Sequence, residues 1–591
     1  MILSKRHNIL IALFLIFIIS NIYLYWFGSY LFFYQESNTL FLFSSQYLHQ
    51  FVIKPGGLLE YAGNFLAQGY FSPAYGSLIL SVILTSLIYV VSQIHKRLDS
   101  GRSESLFLIA VPSSLLLLMQ LNFNWFMWSN LGILFTFLYF LLSIASDKKR
   151  MRIFWLVLFP VFYYFAGAFA WIYLGLYIVY SLLYDKGPLR YYYPALLMII
   201  SCLSFFVFKE IIFLQSVDAL LLSPFSIRNQ FMHPWTLYLL IGFIVLFPLL
   251  VKVLSFIKIR TKYAQAISIS SILLVFIVST FLLSKLYNPK IANLFQLEKC
   301  VSEQNWEDLI EHQETYQLSN IVAQYYYNLA LSEKGLLCDR LFFAPQDFGP
   351  RALIIPWNPK AGPNNIARGI YFYYSVGLIN EAHRWAYESM VTQGYRPENL
   401  KILIKTNLIN GHYSITEKYI QILERTLHYK KWAQKYKAML YRPDLIEADP
   451  ELGEKIKILP KEDFTITFDN PINNIYSLLQ SNLNNKRAFE YIIAWNLLAK
   501  NVDAVIAEVD KMKEISYTKI PRHIEEVLLL YNRYTGLMPD IGELTINNES
   551  IELFKQYEFF SNPFAGIPIS DKKDIQEPFL HTYWLYLDYK K

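Results

Sequence analysis

From Met1 to about Leu286 the chain alternates long apolar runs with short basic connections, whereas from about Tyr287 to Lys591 polar residues interrupt the apolar ones at helical spacing. Runs such as Ile9 to Trp26 and Leu106 to Leu121 approach the ~20 apolar residues needed to cross hydrocarbon. Nine segments of this kind can be drawn, near residues 8–30, 73–94, 105–121, 125–146, 153–166, 168–184, 191–208, 234–251 and 264–286. The pattern therefore predicts an all-α protein: a polytopic transmembrane helix bundle over 1–286, with an outer loop of interfacial helices at 35–72, then a helical domain over 287–591.

Within the outer loop, an apolar stretch from Leu40 to Val52 is followed by Pro55-Gly56-Gly57 and a second amphipathic stretch. There Leu58, Leu59, Ala62, Phe65 and Leu66 recur at i, i+3, i+4 and i+7, leaving Glu60, Asn64 and Gln68 four apart on another face. Two helices lying flat in the membrane interface, hinged at the Pro-Gly-Gly, are the expected structure.

Alternate connections carry the basic residues: Lys5/Arg6, Lys96/Arg97/Arg102, Lys148/Lys149/Arg150/Arg152, Lys186/Arg190 and Lys252/Lys258/Arg260/Lys262. This asymmetry places the N-terminus in the cytoplasm, and an odd number of spans then carries the C-terminal half to the periplasmic face of a bacterial inner membrane. It also accounts for the net charge of +7 without nucleic acid as a partner; the lipid bilayer is the expected one. Met1 to Tyr34 has no small-residue cleavage site after its apolar run and reads as an uncleaved anchor. The segments lack acidic and basic residues at depth, which argues against an ion-coupled transporter. Of the three cysteines, Cys300 and Cys338 fall in the outer half, where the spacing demands no disulfide but leaves one open.

The second half repeats itself. Tyr373-Tyr374 through Gly377, Glu381-Ala382, Trp385 and Pro397 is similar to the tetratricopeptide pattern, and a second unit places its turn glycine at Gly411, 34 residues after Gly377. Looser copies occur at 305–340 and 487–512. Such helix pairs stack into an α-solenoid, and its groove would take a periplasmic protein or peptide; bracing of the membrane half is the other reading. Asp347-Phe348-Gly349-Pro350-Arg351 lacks a following glycine-rich helix start and reads as a turn.

An acidic residue just after the first span, followed by two interfacial helices, resembles the GT-C class of membrane glycosyltransferases. That resemblance implies a sugar transferred from a polyprenyl phosphate at the periplasmic face, with Glu36 as catalytic base or ligand to a divalent metal. Lys54 and Arg228 would hold the lipid phosphate, and Glu60, Asn64 and Gln68 would contact the sugar; Lys209 is a further candidate cation. The class often has paired acidic residues where this chain has Glu36-Ser37-Asn38, and nothing in the sequence brings Glu210 or Asp218 to them. The alternative roles are local: Glu36 capping its helix and Lys54 snorkelling to headgroups. The turn from Asn122 to Asn130 offers aromatics to a sugar or to the membrane interface, and His233 is a base candidate or a helix start.

At larger scale the chain resembles a family of bacterial polytopic membrane proteins of unknown function from Gram-negative anaerobes. The resemblance rests on Gln35-Glu36 through Gln68, Trp306 to Arg340, Pro521-Arg522-His523-Ile524-Glu525-Glu526 and Thr582-Tyr583-Trp584. It implies no activity or cofactor. The layout of a spanning half before tetratricopeptide repeats also resembles some protein O-mannosyltransferase-like proteins. Two functions are therefore expected as alternatives: a GT-C-like glycosyltransferase using a lipid-linked sugar, and a non-enzymatic membrane-anchored scaffold.

Overall fold

Helices arise wherever the apolar positions recur at the helical period, and no strand occurs among the described residues. The computed structural model describes residues 2–99, 106–146, 148–225, 234–256, 261–355, 363–467, 469–515, 517–561 and 577–589. Two compact units emerge, Met1–Pro289 with Arg425–His428, and Lys290–Glu424 with Tyr429–Lys591.

The expectation of nine spans is corrected. Three described helices are long and apolar enough to cross a membrane, Pro73–Leu98, Leu189–Ile212 and Pro234–Ser255, or up to five if each of two bent pairs counts as one span. One of these pairs bends by 72° between Leu13–Trp26 and Ser29–Asn38. The remaining segments are helical but short. Leu106–Met119, Met127–Ser143 and Phe169–Tyr184 have 14, 17 and 16 residues, which at 1.5 Å per residue reach only about 21–26 Å. The segment near 153–166 breaks at Leu158 into helices of 9 and 8 residues, with Pro160 opening the second and Gly167 (φ +58°) ending it.

The short helices and the long Pro73–Leu98, 56% of whose apolar window is buried, fill the interior of the first unit. Trp125, Phe137, Phe169, Tyr173 and Phe247 are almost fully buried. By contrast only 22% and 28% of the apolar windows of Leu189–Ile212 and Pro234–Ser255 are buried, leaving Ile199, Leu203, Phe206, Leu239 and Leu246 turned outward.

In the second unit, Pro363–Val376 pairs with Ile379–Gln393 across Gly377, and Pro397–Ile409 pairs with Tyr413–Glu424 across Gly411. Both glycines have positive φ (+90° and +72°), the left-handed conformation that stops a helix and starts its return. Later helices then fold back onto earlier ones. Lys486–Leu498 packs against Ile321–Lys334 and Pro363–Val376, with Tyr491 fully buried and its ring 5.0 Å from that of Phe372. A strictly one-dimensional stack has no such return contact. Gly349–Ala352 is a short 3₁₀ turn, and Asp347 accepts from Ser319 Oγ (2.6 Å). Cys300 and Cys338 are buried free thiols, and burial pushes both above the usual thiol range; Cys202 is exposed.

Candidate functional site

The loop over 35–72 forms two helices, and the buried side of the second lies well round from its apolar stripe. Ser44 caps the first, Ser45–Val52, by accepting from Tyr47 N–H (3.2 Å), and Gly56 (φ +74°) opens the second, Gly57–Ala67. The buried stripe of the second helix is Gly57, Leu59, Gly63, Asn64 and Ala67, while Phe65 is exposed. Gly63 decides this: a Cβ there would overlap Trp128, so the bare backbone seats Met127–Ser143 directly. Phe65 turns instead to Phe41, 5.6 Å between ring centroids.

The proposed site residues are placed as follows. Lys54 and Glu60 meet each other, Nζ to Oε2 2.5 Å, and the Lys54 ammonium also lies 5.7 Å from the Phe51 ring. Asn64 is buried and donates to Tyr47 OH (3.4 Å). Gln68 bends its amide back to Phe65 O (3.0 Å), while its backbone carbonyl bonds His428 Nε2 (2.9 Å). Glu36 is half-buried on Ser29–Asn38, and its carbonyl accepts Thr39 N–H (3.1 Å). Lys209 pairs with its neighbour Glu210. Arg228 and His233 lie outside the described residues. Lys54 thus neutralises one of the groups expected to touch sugar. Among the described residues no cluster of His, Cys, Asp and Glu is arranged to hold a metal.

What the loop does achieve is a junction of three connections. Gly56 N–H donates to Tyr164 O (2.8 Å), Ala168 N–H to Ser223 O (2.7 Å), Ser223 Oγ to Pro55 O (2.5 Å), and Tyr164 OH to Val52 O (3.1 Å). A Cβ on Gly56 would stand 2.8 Å from Pro224 Cδ and 3.1 Å from Gly167 Cα. Backbone meets backbone here, which only glycine permits at this distance. The turn from Asn122 to Asn130 is also interior: Gln120 Nε2 (2.8 Å) and Trp125 Nε1 (2.9 Å) both donate to Asn130 Oδ1, and Gln35 Nε2 donates to Trp125 O (2.9 Å). Asn122, Trp125, Trp128 and Asn130 are buried, so these rings offer no face to a sugar.

Two buried polar clusters in the second unit escaped the sequence reading. In the first, Glu333 joins Arg487 Nη1 (2.6 Å) and Lys455 Nζ (3.3 Å), and both cations also donate to Ser375 O (3.1 and 3.0 Å). With Asn485 Nδ2 on Val376 O (2.8 Å), they satisfy the carbonyls that Pro363–Val376 leaves open at its C-terminus. Burial pushes Glu333 up, yet Lys455 and Arg487 hold its carboxyl below the usual range; burial depresses Lys455.

The second cluster unites the distant motifs. Glu526, 1% exposed, accepts from Arg522 Nε (2.9 Å), His523 Nδ1 (2.9 Å) and Tyr583 N–H (2.7 Å), and its carbonyl takes the Trp584 indole N–H (2.7 Å). Arg522 N–H donates to Asp339 Oδ1 (2.9 Å), and Phe342 lies edge-on to His523 at 4.7 Å. Segments 306–340, 521–526 and 582–584 therefore meet in one place. A His–Glu pair sealed at 0% and 1% side-chain exposure cannot reach a substrate; it fastens the tail.

The outward side of the helix pairs is different. Tyr387, Val391 and Tyr395 are exposed along one side of Ile379–Gln393 and its exit, as is Ile415 on Tyr413–Glu424. Tyr419 adjoins them: its hydroxyl is raised by burial and by the nearness of Tyr387 and Tyr395. This contiguous aromatic face has no counterpart in the tetratricopeptide-like spacing, which reports turns and core positions only.

A model of a family of unknown function, DUF6057, matches residues 5–590. No curated protein and no solved structure matches the chain.

Proposed function

We propose that this chain, which belongs to the DUF6057 family of unknown function, is a membrane-anchored scaffold of the bacterial envelope. Its first unit lies in the inner membrane with the N-terminus cytoplasmic, and its second unit docks a protein partner in the periplasm. The outward apolar faces of Leu189–Ile212 and Pro234–Ser255 support the membrane placement, since exposed surface of that kind is costly in water. The loop charges support the orientation.

The observation that carries the docking role is the exposed face of Tyr387, Val391, Tyr395 and Ile415 beside Tyr419. Tyrosines of this sort supply large contact area with little rotamer entropy to lose, the composition of a protein-binding surface. The glycosyltransferase alternative draws less support, because Lys54 is engaged by Glu60 and Asn64 is buried.

Complementation of a deletion strain at matched expression separates the two. The scaffold requires that Glu36→Gln and Lys54→Met restore the envelope phenotype and that Tyr387→Asp/Tyr395→Asp does not. Loss of a single envelope glycan with Glu36→Gln, and full function with the tyrosine pair replaced, would reverse the assignment in favour of transfer from a lipid-linked sugar.

A further inference from the structure

A hollow of about 160 Å³ lies inside the first unit between Ile2–Trp26, Pro73–Leu98, Leu106–Met119 and Thr261–Leu286. Its lining includes Ser20, Ala110, Ser113, Leu117, Ser279 and Leu283. Although hydroxyls are present, those of Ser20, Ser113 and Ser279 donate to helix carbonyls, Ser20 to Ile16 O, Ser113 to Leu84 O (2.9 Å) and Ser279 to Val275 O (2.7 Å). Those three oxygens and the hydroxyls of Ser114 and Thr280 interrupt a wall that is otherwise hydrocarbon, and a wall of that composition suits an apolar guest better than water. A cavity of comparable volume lined by apolar side chains is known to take up an apolar guest instead.

The shape narrows the guest. Lining positions on the last of these helices run from Val275 to Leu283, eight residues or about 12 Å of helix, and those on Leu106–Met119 from Ala110 to Leu117. Its wall therefore runs along the helix axes. We infer that it is a binding site for one unbranched acyl chain of a membrane lipid, drawn in between the first and last helices of the unit. No charged group lines it, so the headgroup stays outside and the site selects the tail. The inference rests on the membrane placement proposed above and does not depend on the docking face.

The test uses the full chain reconstituted in phosphatidylcholine vesicles in which a fraction of the lipid carries a diazirine near the end of one acyl tail. After irradiation, labelled residues are located by mass spectrometry. Label is expected at Ser113, Leu117 and Ser279 as well as at the outward Leu203 and Leu246. In Ala110→Leu/Ser279→Leu, which fills the hollow, the interior label is lost and the outward label persists. Outward label without interior label in the wild-type chain would overturn the site while leaving the membrane placement standing, and it needs no variant to fold. Preferential interior labelling by a prenyl-tailed diazirine probe would overturn the choice of an unbranched chain. Failure of the membrane placement has its own signature, absence of label at Leu203 and Leu246.

Discussion

Glu490 offers a sharp test of how burial acts in the second unit. It sits on Lys486–Leu498 with 2% exposure; Oε1 accepts the Tyr517 hydroxyl (3.3 Å), and Oε2 finds no hydrogen-bond partner among the described residues. The Lys486 ammonium is 3.7 Å away but half in solvent, too hydrated to balance the loss of water around the carboxylate. Burial, assisted by Asp339, pushes the carboxyl up to about 7 from an ordinary 4.5. At about 1.4 kcal/mol per pH unit, the folded form prefers the protonated acid by about 3 kcal/mol. The sign follows: the native state holds this proton more tightly than the unfolded chain, so its contribution is complete below pH 4.5 and lost as pH rises to about 7. Glu490→Gln keeps the shape and removes the ionisation. Urea unfolding of the full chain in detergent micelles, followed by tryptophan fluorescence at a series of pH values, should show the variant gaining about 3 kcal/mol on the wild type between pH 4.5 and 7.5. All other titrating groups are common to both proteins and cancel. A constant difference across that range would refute the reasoning, because it would mean that Glu490 ionises as a solvated carboxylate.

Other expectations bear on packing and pairing. Gly63→Ala should destabilise the first unit by about 1–3 kcal/mol through overlap with Trp128, read as a lower thermal midpoint, while Gly242→Ala, with open space at its Cβ, should cause no loss. Glu333→Gln leaves Lys455 and Arg487 buried against an uncharged amide and should cost about 3–5 kcal/mol in denaturant, partly recovered when Lys455→Met is added. A double-mutant cycle on Lys54 and Glu60 should give a coupling of about 1 kcal/mol or less, the value of a partly solvated rim pair; several kcal/mol would indicate a desolvated site. In the native protein a maleimide should spare Cys300 and Cys338, both buried in the second unit, until the chain unfolds.

Helix positions were readable from periodicity because turns are marked locally: Gly56, Gly377 and Gly411 all stand at positive φ where the pattern breaks. Span number was less readable, since an apolar run does not reveal whether it ends at a membrane face or, like Phe159–Ala166, stops short inside a packed unit. The helix Gly57–Ala67 shows what hydropathy leaves out. Its apolar stripe marks an amphipathic helix, but the close approach of Trp128 depends on the smallest residue, Gly63, which carries no hydropathic signal. For the site, type and spacing suggested that Glu60, Asn64 and Gln68 share a face, but not that Lys54 would turn onto Glu60 or Asn64 be covered. The clusters at Glu333 and Glu526 were invisible for another reason. Their hydrogen-bonded partners are separated by up to 154 and 183 positions, and nothing local announces a partner so distant.

The fastening of Glu526 to Tyr583 and Trp584 sets an order of events during synthesis. When Glu526 leaves the ribosome, the backbone N–H and indole N–H that will satisfy it are 57 and 58 residues from being made. Until they arrive, a carboxylate and a histidine destined for a sealed interior must stay hydrated, and the helix Arg522–Thr535 cannot settle. The second unit is thus latched from its far end, and a chain interrupted before Tyr583 presents an open, wettable seam that distinguishes it from a finished one.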